Sequence, residues 1–281
     1  MEYRSFYKEV SGNEGNKCHY NVRLDTYGCG CEHDCSYCYA KSLLNFRNLW
    51  HPDDPSVADI EKIRKKIAKL PKDKVIRLGG MTDCFAPVEL RERVTYKTIQ
   101  ELNKCGIPYL IVTKSDNVAR DEYLEILDKD LAHIQVTITC FDDDKYRKLK
   151  YEKAPVPSKR IEAVEKLYRN GYDVAIRLSP FIPEFVDFDI LNGIDCDKMI
   201  VEFLRVNSWI KKWFDIDYSG YIVKENGYQH LPLWRKLEYI EKIKGKEISV
   251  CEDESRAYEY WRDNFNPNKD DCCNLRKSAI K

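Results

Sequence analysis

Short apolar runs alternate with segments of helical period along the chain as far as Arg205. Asn21–Asp25 alternates polar and apolar positions, predicting a strand that leads through Tyr27-Gly28 into a cysteine-bearing loop. Ile60, Ile63, Ile67 and Leu70 recur at helical spacing and stop at Pro71. Lys74–Leu78 predicts a buried strand closed by Gly79-Gly80, and Glu89–Cys105 predicts one amphipathic helix with Gly106 as its stop. Tyr109–Thr113 (YLIVT) and His133–Thr139 (HIQVTIT) predict two strands, the second rich in β-branched residues. Ser158 is the expected cap of a helix running to Asn170, with Ile161, Val164 and Leu167 on one face and Gly171 beyond its end. Asp173–Leu178 and Met199–Leu204 predict two further strands.

Strand–helix alternation of this kind implies a parallel sheet. Six strands with helices between them predict an α/β fold, a partial (βα)6 barrel of TIM type, in preference to an open doubly wound sheet. The expected organisation is an N-terminal segment (1–19), a partial-barrel core (20–205) and a small C-terminal extension (206–281). Within the extension, Leu233–Lys244 predicts a helix ending at Gly245, Lys246–Cys251 a strand and Ser255–Trp261 a helix.

A chain of 281 residues with 43% hydrophobic residues can bury one large core. Lys plus Arg and Asp plus Glu both number 47, so no global field recruits nucleic acid or an anionic membrane. The start MEYRSFYKEV has no apolar run suited to a signal peptide, and no stretch of roughly 18 apolar residues occurs to anchor the chain in a membrane. Twelve cysteines without an export signal are expected as reduced thiols and metal ligands in a cytoplasmic protein.

The segment CEHDCSYC sets Cys31, Cys35 and Cys38 at C-x3-C-x2-C spacing, with Tyr37 and Tyr39 flanking the third cysteine. Three thiolates on one loop can hold three corners of a cubane iron–sulfur cluster and leave one iron open for a substrate or cofactor, where electron-transfer sites use four. Zinc is the other reading, with His33 or Cys29 as fourth ligand. A second trio, Cys251, Cys272 and Cys273, could hold an auxiliary cluster or zinc with Cys196 as fourth ligand; the alternative is a set of thiols at the barrel mouth. Cys18, Cys29 and Cys105 are expected to be structural.

In parallel barrels the loops at the carboxyl ends of the strands build the active site. Those ends should carry the first cysteine trio, then Gly79, Gly80, Met81, Thr82 and Asp83, then Lys114 and Ser115, then Thr137, Thr139 and Cys140, then Arg177 and Ser179, and finally Glu202 and Arg205. The blocks CEHDCSYCYA, RLGGMTDCFAPVE, IVTKSD, IQVTIT and PSKRIEAVEKLYRNGYDVAIRLSPFIP, in this order from about Tyr20 to Arg205, resemble the core of radical S-adenosylmethionine (SAM) enzymes of the spore photoproduct lyase-like family. The resemblance implies a [4Fe–4S] cluster on Cys31, Cys35 and Cys38 and SAM chelated at the open iron. It also implies one-electron cleavage of SAM to a 5′-deoxyadenosyl radical, and an electron donor of flavodoxin or ferredoxin type. By the same match Gly79, Gly80, Thr82 and Asp83 face the cofactor, Lys114 pairs with the SAM carboxylate, Thr137 meets the ribose, and Arg177 completes the cofactor set. Tyr37 and Tyr39 match a hydrogen-transfer pair.

The lyase places a hydrogen-donating cysteine just after the second strand, where this chain has Met81. Cys84, three positions on, and Cys140 are the candidate replacement thiols. The substrate is therefore left open between a nucleic-acid base or lesion and a peptide or small metabolite. A non-catalytic metal-binding protein is the third reading.

Overall fold

The computed structural model describes residues 2–11 and 17–276. Its central sheet has eight strands: Tyr7–Glu9 (β1), Val22–Leu24 (β2), Ile76–Leu78 (β3), Tyr109–Thr113 (β4), Ala132–Thr137 (β5), Asp173–Phe181 (β6), Lys198–Phe203 (β7) and Glu247–Val250 (β8). They lie side by side in chain order, with β1 antiparallel to β2 and every later neighbour parallel. The α/β fold and its six-strand parallel core follow the pattern of the sequence. The extension adds a seventh parallel strand, β8, which pairs with β7 from Glu247↔Lys198 to Val250↔Val201.

Alternation along these strands builds two chemically different faces. One face is a ladder of Leu24, Leu78, Ile111, Ile134 and Val174, buried under Ile63, Ile67, Ile99, Leu102, Val164 and Leu167 of the flanking helices. The other carries Arg23, Arg77, His133, Gln135, Thr137, Asp173 and Arg177, nearly all buried. Burying polar groups is costly unless they are paired. Here His133 Nδ1 lies 2.5 Å from Asp173 Oδ2, Lys198 Nζ donates to Asp173 Oδ1 at 2.8 Å, and Arg177 donates to Gln135 at 2.7 Å and to Glu202 at 2.5 Å. This inner face forms a polar lumen.

The chain's last described residues cross the amino ends of the strands. Lys198, Glu247 and Asp173 are the first residues of β7, β8 and β6. The Asn274 carbonyl accepts from Lys198 Nζ, the Asn274 amide donates to Glu247, and the Arg276 N–H donates to Asp173. Tyr20 pins the same turn by donating its hydroxyl to Asp271 at 2.5 Å.

Local expectations fail at three helices. The predicted helix Glu89–Cys105 is two helices, Val88–Glu92 and Val94–Cys105, because Arg93 adopts the left-handed conformation (φ 59°). The break is stabilised from inside: the buried Glu89 carboxylate accepts from Thr95 N–H and Tyr96 N–H, both at 2.8 Å, and so caps the second helix. Ser158 does not cap its helix, which runs Pro157–Arg169 with Val156 at the cap position; its N–H and hydroxyl both donate to Asp143. The helix predicted over Leu233–Lys244 ends earlier, at Ile240. Among the described residues no helix is long and apolar enough to cross a membrane.

Candidate active site

The carboxyl ends of the strands and the loops that follow them enclose one cavity. Cys31, Cys35 and Cys38 line it together with Tyr37, Tyr39, Gly79, Gly80, Thr82, Asp83, Lys114, Thr137 and Arg177. Residues spread over 147 positions of sequence (31 to 177) thus share one wall because six parallel strands all end on the same side.

The cysteine loop is fixed by turns and by the segment that follows β5. Asp34 N–H donates to the Cys31 carbonyl and Cys38 N–H to that of Cys35, while Ser36 N–H donates to Tyr151 and Lys153 N–H to His33. Cys38 stands directly before the helix Tyr39–Asn45, and the N–H groups of Ala40 and Lys41 point at its sulfur. Those of Asp83 and His33 point at Cys31. Burial pushes the Cys31 thiol up to about 12 and raises Cys35 and Cys38 as well, against the pull of these N–H groups and of Lys114. Three thiols on one cavity, Cys35 buried and Cys31 and Cys38 half-buried, with N–H donors aimed at two of the sulfurs and a cation near, are a donor set that suits an iron–sulfur cluster. Among the described residues no three His, Cys, Asp or Glu side chains converge closely enough to hold a single ion.

The glycine turn after β3 has its own structural reasons. Gly79 has φ +79°, and a Cβ on Gly80 would sit 2.5 Å from the Arg23 side chain. Asp25, at the end of β2, accepts from Gly80 N–H at 2.5 Å and Met81 N–H at 3.1 Å, and Tyr39 donates its hydroxyl to the Gly80 carbonyl. Thr82 donates to the Gly30 carbonyl at 2.8 Å and so ties this turn to the cysteine loop. Both oxygens of Asp83 are taken. Oδ1 accepts from Thr113 and Phe85 N–H, and Oδ2 accepts from Lys114 N–H and meets His33 Nε2 at 3.2 Å. Burial alone would raise this carboxyl, but His33 and the N–H and O–H donors hold it below its ordinary range. The Lys114 ammonium donates to the Ser179 carbonyl at 3.2 Å and lies 5.3 Å from the Tyr37 ring centre.

Two ion-pair networks, one behind the wall and one in it, were not foreseen. Glu152 is buried between Arg160, Tyr37, Thr139 and the Cys35 thiol, which donates to it at 3.4 Å. Burial opposes its charge, yet Arg160 and Lys114 hold the carboxyl down at about 2. Burial and Glu152 together raise the Tyr37 hydroxyl well above its usual value. Glu202 is the second hub, taking Arg177 Nη2 and the Ser179 hydroxyl, while Arg205 pairs with Asp253 and stacks 5.0 Å from the Tyr39 ring. Both networks were hidden in the sequence because they join segments read as separate elements.

The remaining predicted residues fall in different places. Cys84 and Cys140 are buried in the main core and are not among the residues facing the cavity. The Cys84 sulfur would touch a Cβ placed on Gly79, behind the turn, and Cys140 donates its thiol to the Asp142 carbonyl. Cys251 and Cys272 do line the cavity, with Cys273 packed beneath against Tyr20 and Leu110. Cys196 stands apart, donating to the Val174 and Lys198 carbonyls near the amino end of β7, whereas Cys18 joins the C-terminal cysteines.

Residues 26–192, more than half of the chain, match the radical SAM superfamily. The chain belongs to that superfamily. An uncharacterized protein of Methanocaldococcus jannaschii is 28% identical over 169 residues, covering 58% of this chain and 62% of that protein. One of the Acidianus two-tailed virus is 25% identical over 169 residues, 56% of this chain and 55% of that protein. The matches thus span little more than half the length of these curated relatives. Among solved structures, spore photoproduct lyase complexed with a dinucleoside spore photoproduct superposes with a TM-score of 0.64 at 14% identity, over 89% of this chain and 81% of that one. A mutant of the same lyase with bound SAM and dinucleoside gives 0.60 at 15% identity, over 92% and 78%. At such identity the likeness is one of fold. Membership of the superfamily implies an iron–sulfur cluster, SAM and radical-based chemistry.

Proposed function

We propose that the protein binds a [4Fe–4S] cluster through Cys31, Cys35 and Cys38, takes SAM beside it, and abstracts hydrogen from a substrate held in the same cavity. The observation that carries this reading is the meeting of the three thiols, the glycine turn and the Lys114 ammonium on one wall. When bound, the cluster and SAM supply a one-electron cleavage of a carbon–sulfur bond and with it a carbon radical. The chain's own residues do the rest. Gly79 and Gly80, held by Asp25 and Tyr39, let backbone approach the SAM amino group. Lys114 faces the SAM carboxylate and Thr137 the ribose. Thr82, Asp83 and His33 act as positioning residues that lock the cysteine loop to the turn. Arg177, held by Glu202 and Gln135, completes the cofactor set on the cavity wall. Tyr37 and Tyr39 border the cavity as the pair for hydrogen transfer, and an electron donor of flavodoxin or ferredoxin type approaches from outside.

The reaction resembles that of spore photoproduct lyase in its first step. Met81 occupies the position of the lyase's thiol and lines the cavity, and Cys84 does not. A substrate class other than a DNA lesion, such as a peptide or small metabolite, is therefore the reading we favour for the second step. After anaerobic reconstitution, dithionite and SAM should release 5′-deoxyadenosine, and replacing Cys31, Cys35 and Cys38 together by Ala should abolish that release. A triple variant that still formed 5′-deoxyadenosine would overturn the assignment.

A further inference from the structure

Outside the cysteine loop a second group of thiols gathers inside the lumen, drawn from three distant parts of the chain. Cys18 lies just before β2, Cys251 directly after β8, and Cys272 and Cys273 in the C-terminal turn. Cys18, Cys251 and Cys272 face the cavity, and Cys18, Cys272 and Cys273 pack in one small cluster with Tyr20, Leu110 and Val112. The Cys272 thiol lies beside those of Cys251 and Cys273, and Cys18 is near Cys251 and Cys273. Every thiol in the group therefore neighbours at least two others. None of the four is in a disulfide.

The surroundings are those of an anionic site. Arg77 and Arg177 both lie close enough to act on these sulfurs, Arg77 on Cys18 and Arg177 on Cys273. The Gln135 side chain is buried to 1% exposure; its oxygen accepts from Arg177, and its Nε2, near Cys273, has no hydrogen-bond partner. A buried amide donor aimed at sulfur is wasted on a neutral thiol and well used on a thiolate. The Arg77 Nε is likewise buried without a partner. Asp271 accepts from Tyr20 and from the N–H groups of Cys273 and Leu275, which fixes the turn that brings the adjacent cysteines in.

We propose that Cys18, Cys251, Cys272 and Cys273 hold a second iron–sulfur cluster, with all four corners ligated by the protein. Its net negative charge is offset by Arg77 and Arg177. A lone zinc would need three or four sulfurs drawn onto one centre at about 2.3 Å. The thiols do not converge that closely, which is equally true of Cys31, Cys35 and Cys38; a cluster bridges sulfurs that stand further apart. Four thiolates leave no open iron, so this site binds no SAM and is independent of the function proposed for the first.

Metal content of the full chain tests this. After anaerobic reconstitution the protein should carry about eight irons, and the Cys31→Ala, Cys35→Ala, Cys38→Ala variant should keep about four, with an electron paramagnetic resonance signal after dithionite reduction. The Cys18→Ser, Cys251→Ser variant should also keep about four and should still form 5′-deoxyadenosine, which checks that its fold survives. The triple variant leaves the second set intact, so its iron count decides even if the double variant misfolds. About four irons in the unaltered protein and none in the triple variant would overturn the proposal. So would one tightly held zinc that is lost in the double variant, or a disulfide among the four cysteines after anaerobic purification.

Discussion

Lys114 is the residue on which the cofactor reading can be tested without touching iron. Its ammonium reaches across to the Ser179 carbonyl and lies near the Tyr37 ring. Lys114→Ala should leave the iron content unchanged and weaken SAM binding by roughly 2–4 kcal/mol, the usual cost of removing one partner of a buried charged pair. Calorimetric titration with SAM measures it, and an unchanged affinity would make Lys114 a plain strand-end lysine. Glu202 gives a prediction in pH. Burial favours its neutral form, but Arg177 and Arg205, with the Ser179 hydroxyl, hold it at about 2. A carboxyl depressed on folding stabilises the native state above its unfolded value and loses that contribution as pH falls through its folded one. Stability should therefore drop between about pH 4.5 and pH 2. Glu202→Gln should flatten part of that acid limb in urea titrations and be less stable near neutral pH. An acid limb identical in both proteins would remove Glu202 from the account.

At the scale of elements, the break at Arg93 depends on Glu89. That carboxylate is fully buried and accepts from two N–H groups of the second helix and from the hydroxyls of Tyr27 and Tyr123 at 2.5 and 2.6 Å. Glu89→Ala would orphan these donors, each at about 1–3 kcal/mol when buried. We expect a loss of about 3 kcal/mol or more, read as a lower thermal midpoint; a change under about 1 kcal/mol would show that water replaces the carboxylate. The sequence carried no local sign of this break, because the apolar period continues through Arg93 and the cause lies in tertiary contacts. The strands were far more legible: YLIVT matches β4 residue for residue, since a strand's apolar run and its bounding turns are both local. The cysteine loop and the glycine turn were legible for the same reason. HIQVTIT also carried an unused clue, because His133, Gln135 and Thr137 alternate with apolar residues and form the polar lumen. Glu152 with Arg160, and Cys18 with the C-terminal thiols, were not legible. Arg160 meets Glu152 only because the segment before its helix folds back, and only the sheet topology brings Cys18 to the C-terminal thiols.

For the whole molecule, the extension is part of the sheet's architecture and not an appendage to it. Strand β8 completes one side of the lumen, and the tail lies across the amino ends of β6, β7 and β8. That crossing bears on traffic. Residues 271–276 stand at the end of the lumen opposite the cavity, so a molecule seated at the carboxyl ends of the strands would be expected to leave by the way it came. In such a cul-de-sac each departing molecule would obstruct the next arrival.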